Sequence, residues 1–201
     1  MLPLVLDLRG KSIVVFGGGE VGLRKAAFLS REAEVTIISR EFAGECETAR
    51  MVREDFTASF PEWIEGADMV VAATEDPRLN SSICREARER GKPCNQAHGT
   101  GDFLIPSTVE RGGITVAVTT GGRSPAVTRR LALEIDAFLG ERWPSMVALQ
   151  EELRSRLKES GQDSRARVLR AALDDEEVWE LLEVDPEGAL RRALSHLEDG
   201  R

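Results

Sequence analysis

Ile13-Val14-Val15-Phe16-Gly17-Gly18-Gly19-Glu20-Val21-Gly22 is the stretch from which the rest of the chain is read. Its four leading apolar residues run unbroken, and a short run rich in β-branched and aromatic side chains suits a strand buried on both faces. Glycines follow at once, spaced G-x-G-x-x-G. Val21 to Ser30 then carries Val21, Leu23, Ala26, Ala27 and Leu29, the pattern of a helix laid against a sheet. Strand, glycine turn and helix in that order receive a dinucleotide. Gly17 permits the tight turn, Gly19 lets the backbone approach the pyrophosphate, and Gly22 lets helix and strand close on each other. The first helical residues, Glu20 and Val21, stand where unpaired N–H groups and the helix dipole favour phosphates. The competing reading is a glycine-rich structural turn. A Walker loop fits worse, because no Gly-Lys-Ser/Thr follows.

The order of elements extends this reading. Glu34 to Ile38 is expected as a second strand, Met51 to Arg53 as a third, Asp68 to Thr74 as a fourth and Lys92 to Gln96 as a fifth. Pro77 to Arg90 is expected as a helix ending at Gly91. Strands alternating with helices call for a parallel sheet covered on both faces. The pattern then changes. Asp102 to Ser107 and Ile114 to Thr119 read as two strands of a hairpin joined through Arg111-Gly112-Gly113. From Pro125 onward the chain reads as helical, with Ser124 as the cap and Gly140 and Pro144 as interruptions. The expected class is therefore α/β. A Rossmann-like parallel sheet over 1–101 precedes a small α+β region for dimerisation and the substrate cleft over 102–143, then a helical region over 144–201.

Composition narrows the function. The 201 residues carry a net charge of −8, a poor basis for non-specific nucleic-acid binding, which requires phosphates to be neutralised. No stretch approaches the roughly 20 apolar residues of a spanning helix, and no leader pattern opens the chain, so a soluble, cytoplasmic protein without membrane contact is expected. Cys46, Cys84 and Cys94 are odd in number, widely spaced and without a CxxC pair; reduced thiols are expected, with no metal site. At the end of the second strand, where an acidic residue usually meets the ribose, stand Ser39 and Arg40. Arg40 is either a partner for a 2′-phosphate or a solvated loop charge, so NAD and NADP both remain open.

Several further segments occur in a particular order. They are Leu6-Asp7-Leu8-Arg9-Gly10-Lys11, the three glycines with Arg24-Lys25, Ala72-Ala73-Thr74, Cys94-Asn95, Asp102-Phe103-Leu104-Ile105-Pro106-Ser107 and Thr120-Gly121-Gly122-Arg123-Ser124-Pro125. Together they resemble the precorrin-2 dehydrogenase family, which also forms the N-terminal module of siroheme synthases. The resemblance runs from about Leu4 to Gly140. It implies an NAD-dependent oxidation of precorrin-2 to sirohydrochlorin on the way to sirohaem, metal insertion in some members, and a homodimer built by the segment after the Rossmann domain. It places Asn80 and Thr74 near the cofactor edge, where Asn80 reads equally as an ordinary helix residue, and Gly121, Gly122, Arg123 and Ser124 in a substrate-cleft loop. Arg111 and Arg123 are then suited to the tetrapyrrole carboxylates.

The chain departs from the family at one place. Where the family carries its aspartate, three residues after Asn95, this sequence has His98. Three readings are open: His98 replaces the carboxylate as base or as metal-approach ligand, with an unperturbed pKa of about 6.5 that suits proton transfer; Asp102 reaches the site through a shortened loop; or His98 is a loop histidine with no chemical duty. Outside the enzyme class, the alternatives are a non-catalytic dinucleotide-sensing module and a tetrapyrrole-binding carrier.

Overall fold

The computed structural model describes residues 2–97, 99 and 101–197. The chain divides into two compact units, Met1–Ile105 and Pro106–Arg201. The first is built on five parallel strands: β1 (Ser12–Gly18), β2 (Glu34–Phe42), β3 (Arg50–Arg53), β4 (Met69–Ala72) and β5 (Cys94–Gln96). Their spatial order is β3-β2-β1-β4-β5. The crossovers are α1 (Glu20–Leu29), α2 (Phe60–Glu65) and α3 (Pro77–Glu89). The strand order reverses between β1 and β4, and in such sheets the crevice at the carboxyl ends of those strands takes the ligand.

The apolar run of β1 divides its side chains between two cores. Val14 and Phe16 join Ile38, Val70, Ile64 and Ile83 on one face of the sheet. Ile13 and Val15 join Ile37, Val71, Ala26 and Leu29 on the other. Burial on both faces is why the run is continuous rather than alternating. At the start of α3, Asp76 accepts from the Arg78 N–H at 2.8 Å and Pro77 occupies the first helical position.

The cysteine expectation is corrected. Cys84 on α3 and Cys94 on β5 are joined in a disulfide with Cα atoms 5.3 Å apart, and Cys46 is the free, buried thiol. The helix lies across the strand and brings two fully buried sulfurs to bridging distance. Packing creates that proximity, and the ten-residue spacing carries no sign of it.

The second unit begins with an antiparallel pair, β6 (Ser107–Arg111) and β7 (Ile114–Val118). The first strand thus lies beyond the expected Asp102–Ser107. Gly112 and Gly113 both have positive φ, at 49° and 81°, and form a two-residue turn that pairs Arg111 with Ile114. That register makes residues 107–111 the partners of 114–118, while Pro106, which has no N–H to donate, stays outside the ladder. Helix α4 (Pro125–Leu139) covers the pair with Thr128, Ala132 and Leu139 buried. Four helices follow: α5 (Arg142–Arg156), α6 (Gln162–Asp174), α7 (Glu176–Val184) and α8 (Pro186–Ser195). They enclose a core of Met146, Leu149, Leu153, Val178 and Leu182. Pro144 does not interrupt. It sits in the first turn of α5, where its missing N–H has no intrahelical partner to lose.

Candidate active site

The glycine loop is shaped by steric exclusion on three sides and openness on the fourth. Gly17 has φ of 113°, and a Cβ there would overlap the Ala73 carbonyl at the end of β4. A Cβ on Gly22 would overlap the Gly17 carbonyl. Gly18, which the G-x-G-x-x-G pattern leaves free, is equally constrained. Its Cβ would overlap the Glu41 carbonyl and meet the Phe42 ring at 2.6 Å, because the end of β1 runs beside the end of β2. Gly19 differs: nothing lies within 4 Å of its hypothetical Cβ. It caps α1 in extended conformation, and the first helical bond runs from the Leu23 N–H to its carbonyl at 3.0 Å. The N–H groups of Glu20 and Val21 begin the helix beside this opening. Backbone packed tightly behind and free space in front form a cradle that fits a pyrophosphate.

The cradle opens into a cleft of about 780 Å³ bounded by Gly17, Gly19, Ser39, Arg40, Thr74 and Leu79, among others. Ser39 and Arg40 stand on β2 at the edge of this cleft. The Arg40 guanidinium is mostly exposed and faces the Asp55 carboxylate at 3.8 Å. Thr74 is held by Asn80, a side chain with no exposure on α3. The Asn80 amide oxygen accepts from the Thr74 N–H at 3.0 Å and from its hydroxyl at 2.7 Å, and the amide nitrogen donates to the Thr74 carbonyl at 2.9 Å. Asn80, which reads in sequence either as a residue near the cofactor edge or as an ordinary helical one, fixes the cleft wall in the fold.

Gly101 and Asp102 pack back against β5. Gly101 packs so closely that its Cβ would lie 2.8 Å from the Cys94 carbonyl. The Asp102 N–H donates to that carbonyl at 2.7 Å, and the Asp102 carboxylate accepts from the Cys94 N–H at 2.9 Å and from Arg88 Nε at 2.8 Å. Burial raises the Asp102 pKa, but the Cys94 N–H and the Arg88 guanidinium outweigh it and hold the carboxyl below the usual range. An ionised carboxylate with two donors is a weak base, so the geometry makes Asp102 a fastener to β5. His98 lies outside the described residues. Among the described residues no three His, Cys, Asp or Glu side chains gather as metal ligands.

In the second unit the Thr119–Ser124 loop is organised by its threonines. The Thr120 hydroxyl accepts from the Ser124 N–H at 2.8 Å, and the Thr119 hydroxyl accepts from the Gly121 N–H at 3.1 Å. Ser124 caps α4 by accepting from the Val127 N–H. Arg123 Nε donates to the Thr120 carbonyl at 3.0 Å, and Gly121, Gly122 and Arg123 are exposed. Arg111 is held by partners of its own. Its guanidinium donates twice to Asp136, at 2.6 and 3.2 Å, and once to Glu141 at 2.8 Å. That fork is filled within its own unit and bolts β6 to α4.

A family model described as "Putative NAD(P)-binding" matches residues 4–107, just over half of the chain. A precorrin-2 dehydrogenase of Methanosarcina barkeri is 38% identical over 96% of this chain and 92% of its own length. The chain belongs to the precorrin-2 dehydrogenase family. A siroheme synthase of Methylobacillus flagellatus is 30% identical over the whole of this chain, which spans 44% of that longer protein. The solved structure of SirC, a precorrin-2 dehydrogenase, shares the fold with a TM-score of 0.77 at 22% identity, covering 99% of this chain and 100% of its own. The five-strand parallel sheet, the small antiparallel pair and the C-terminal helices are thus the architecture of the precorrin-2 dehydrogenase SirC.

Proposed function

We propose that the chain oxidises precorrin-2 to sirohydrochlorin with NAD as hydride acceptor. The open Gly19 cradle, in a chain of this family, carries the reading. NAD supplies the hydride chemistry when bound. The protein's part is to hold it and to handle the proton. Gly17, Gly19, Glu20, Val21 and Gly22 take the pyrophosphate, Ser39 and Arg40 face the ribose end, and Thr74 borders the cleft. Gly121, Gly122, Arg123 and Ser124 receive the tetrapyrrole, with the exposed Arg123 suited to a carboxylate. Each turnover removes one hydride and one proton from the macrocycle. His98, two residues beyond β5, takes that proton, while Asp102 holds the returning end of its loop.

The proposal includes a homodimer. On α4, Val127, Leu131 and Phe138 form one exposed stripe, Phe138 by 73%, and Leu133 is exposed on the other flank, although Ala132 and Leu139 are already buried in the helix's own core. A helix apolar on two sides is stable in water when something covers the second side. A second copy of this chain is the expected cover, through the element the resemblance assigns to dimerisation. Among the described residues no helix is long and apolar enough to cross a membrane.

The test mixes the purified protein with precorrin-2, with and without NAD, under anaerobic conditions and follows the absorption spectrum. Conversion to sirohydrochlorin that depends on NAD is expected. Dinucleotide binding without conversion would replace this reading with the sensing module. Sedimentation at micromolar concentration should give twice the 22.1 kDa chain mass; a monomer would refute the dimer.

A further inference from the structure

Lys25 is a half-buried cation that the reading above does not use. It stands on α1, just beyond the glycine loop, and its Nζ donates to Asn95 Oδ1 at 2.5 Å. Asn95 lies on β5 and is 2% exposed. Its amide nitrogen donates to the Phe103 carbonyl at 2.8 Å. The chain from helix to strand to returning loop is therefore continuous: Lys25, Asn95, Phe103.

Two features give this chain a direction. An amide can present either end to a neighbour, but an ammonium is a donor only, so it can bond only the oxygen end. Lys25 thereby fixes which way Asn95 points, and that orientation leaves the amide N–H₂ for the Phe103 carbonyl. Phe103 follows Asp102, whose own bonds go to Cys94. Asp102 and Phe103 are thus held to β5 at Cys94 and at Asn95. The partner of Lys25 is also a neutral amide. Burial, with Arg24 adding repulsion, pushes its pKa down to about 8. A cation kept under those conditions, where an apolar side chain would pack more easily, points to a functional demand.

We infer that Lys25 is a positioning residue for dehydrogenation, orienting Asn95 so that Phe103 and the chain beside it are held to β5. The inference rests on the proposed dehydrogenase reading for its activity readout, and on the hydrogen-bond chain alone for its structural one.

The test compares Lys25→Met and Lys25→Arg with the parent protein in three measurements: kcat with precorrin-2, Kd for NADH, and backbone deuterium exchange over residues 97–103. Lys25→Met should lower kcat by about 10- to 100-fold, the scale of an ångström-level misplacement. It should raise exchange in that segment and leave the Kd for NADH within about twofold, since the cradle glycines are untouched. Lys25→Arg, which keeps a charged donor, should recover most of both losses. Unchanged exchange and kcat in Lys25→Met would overturn the inference, as would a parallel collapse of NADH binding or a failure of arginine to rescue. If the parent protein does not oxidise precorrin-2, the dehydrogenase reading fails by itself, and the exchange arm still decides whether Lys25 holds that segment.

Discussion

Gly19→Ala separates the ligand's demand on the glycine loop from the fold's own. The residue has φ of −72° and ψ of 173°, ordinary extended backbone that alanine adopts without strain. No protein atom lies within 4 Å of the new Cβ. Replacing glycine reduces the freedom of the unfolded chain, worth about 0.4–1 kcal/mol in favour of folding. Loss of a good N-cap residue costs a similar amount. The two nearly cancel, so the melting temperature should stay within a few degrees of the parent. The methyl group instead enters the space assigned to the pyrophosphate. Forcing one extra group into a filled contact costs about 1–3 kcal/mol, which weakens binding by about 5- to 150-fold. Calorimetric titration with NAD and NADH, beside a thermal melt, reads both quantities. Gly22→Ala is the control: its Cβ overlaps the Gly17 carbonyl, so it should lose about 1–3 kcal/mol of stability itself. A Gly19→Ala protein that binds NADH like the parent, or that melts as low as Gly22→Ala, would show that the open side of the loop is not the phosphate site.

Asn80→Ala removes all three bonds to Thr74 and should cost about 1–3 kcal/mol while weakening NADH binding; a parent-like melt and affinity would mean the Thr74 wall holds itself. Denatured without reductant, the protein should alkylate at Cys46 alone, and mass analysis showing label on Cys84 and Cys94 would contradict the disulfide. Asp102, Asp136 and Asp175 have pKa values held below the ordinary carboxylate value, so the unfolded chain binds more protons than the folded one as pH falls. Their contribution is present above that ordinary value of about 3.9 and lost as pH drops through the folded values. Melting temperatures should therefore decline below pH of about 4, and a flat profile there would count against these pairings. Lys25 has the same sign in a higher window: its pKa is depressed to about 8, so the unfolded chain again binds more protons, and stability should rise as pH climbs from there toward the ordinary lysine value, an increment absent in Lys25→Met.

The dinucleotide half was legible in sequence because its signals are local. An apolar run, a glycine turn and a periodic helix lie next to one another, and each constrains the next. Gly18 was not legible as a requirement, since its neighbours Glu41 and Phe42 arrive from the adjacent strand. The hairpin register was missed because two positive-φ glycines, rather than the apolar alternation, decide where the chain turns. The remaining surprises join residues far apart in sequence. Asn95 carries no mark of Lys25, 70 residues earlier, and Arg111 gives no sign that Asp136 and Glu141 will occupy its fork. A charged side chain reads as free in sequence until the fold supplies its partner.

The central claim is that this chain couples NAD reduction to oxidation of a tetrapyrrole. Its most direct test is the stoichiometry of that coupling. Under anaerobic conditions, precorrin-2 consumed, sirohydrochlorin formed and NADH formed should rise together in equal amounts, and all three should be slowed in parallel by Gly19→Ala at limiting NAD. Sirohydrochlorin appearing without an equal quantity of NADH, or NADH binding with no tetrapyrrole turnover at all, would contradict it.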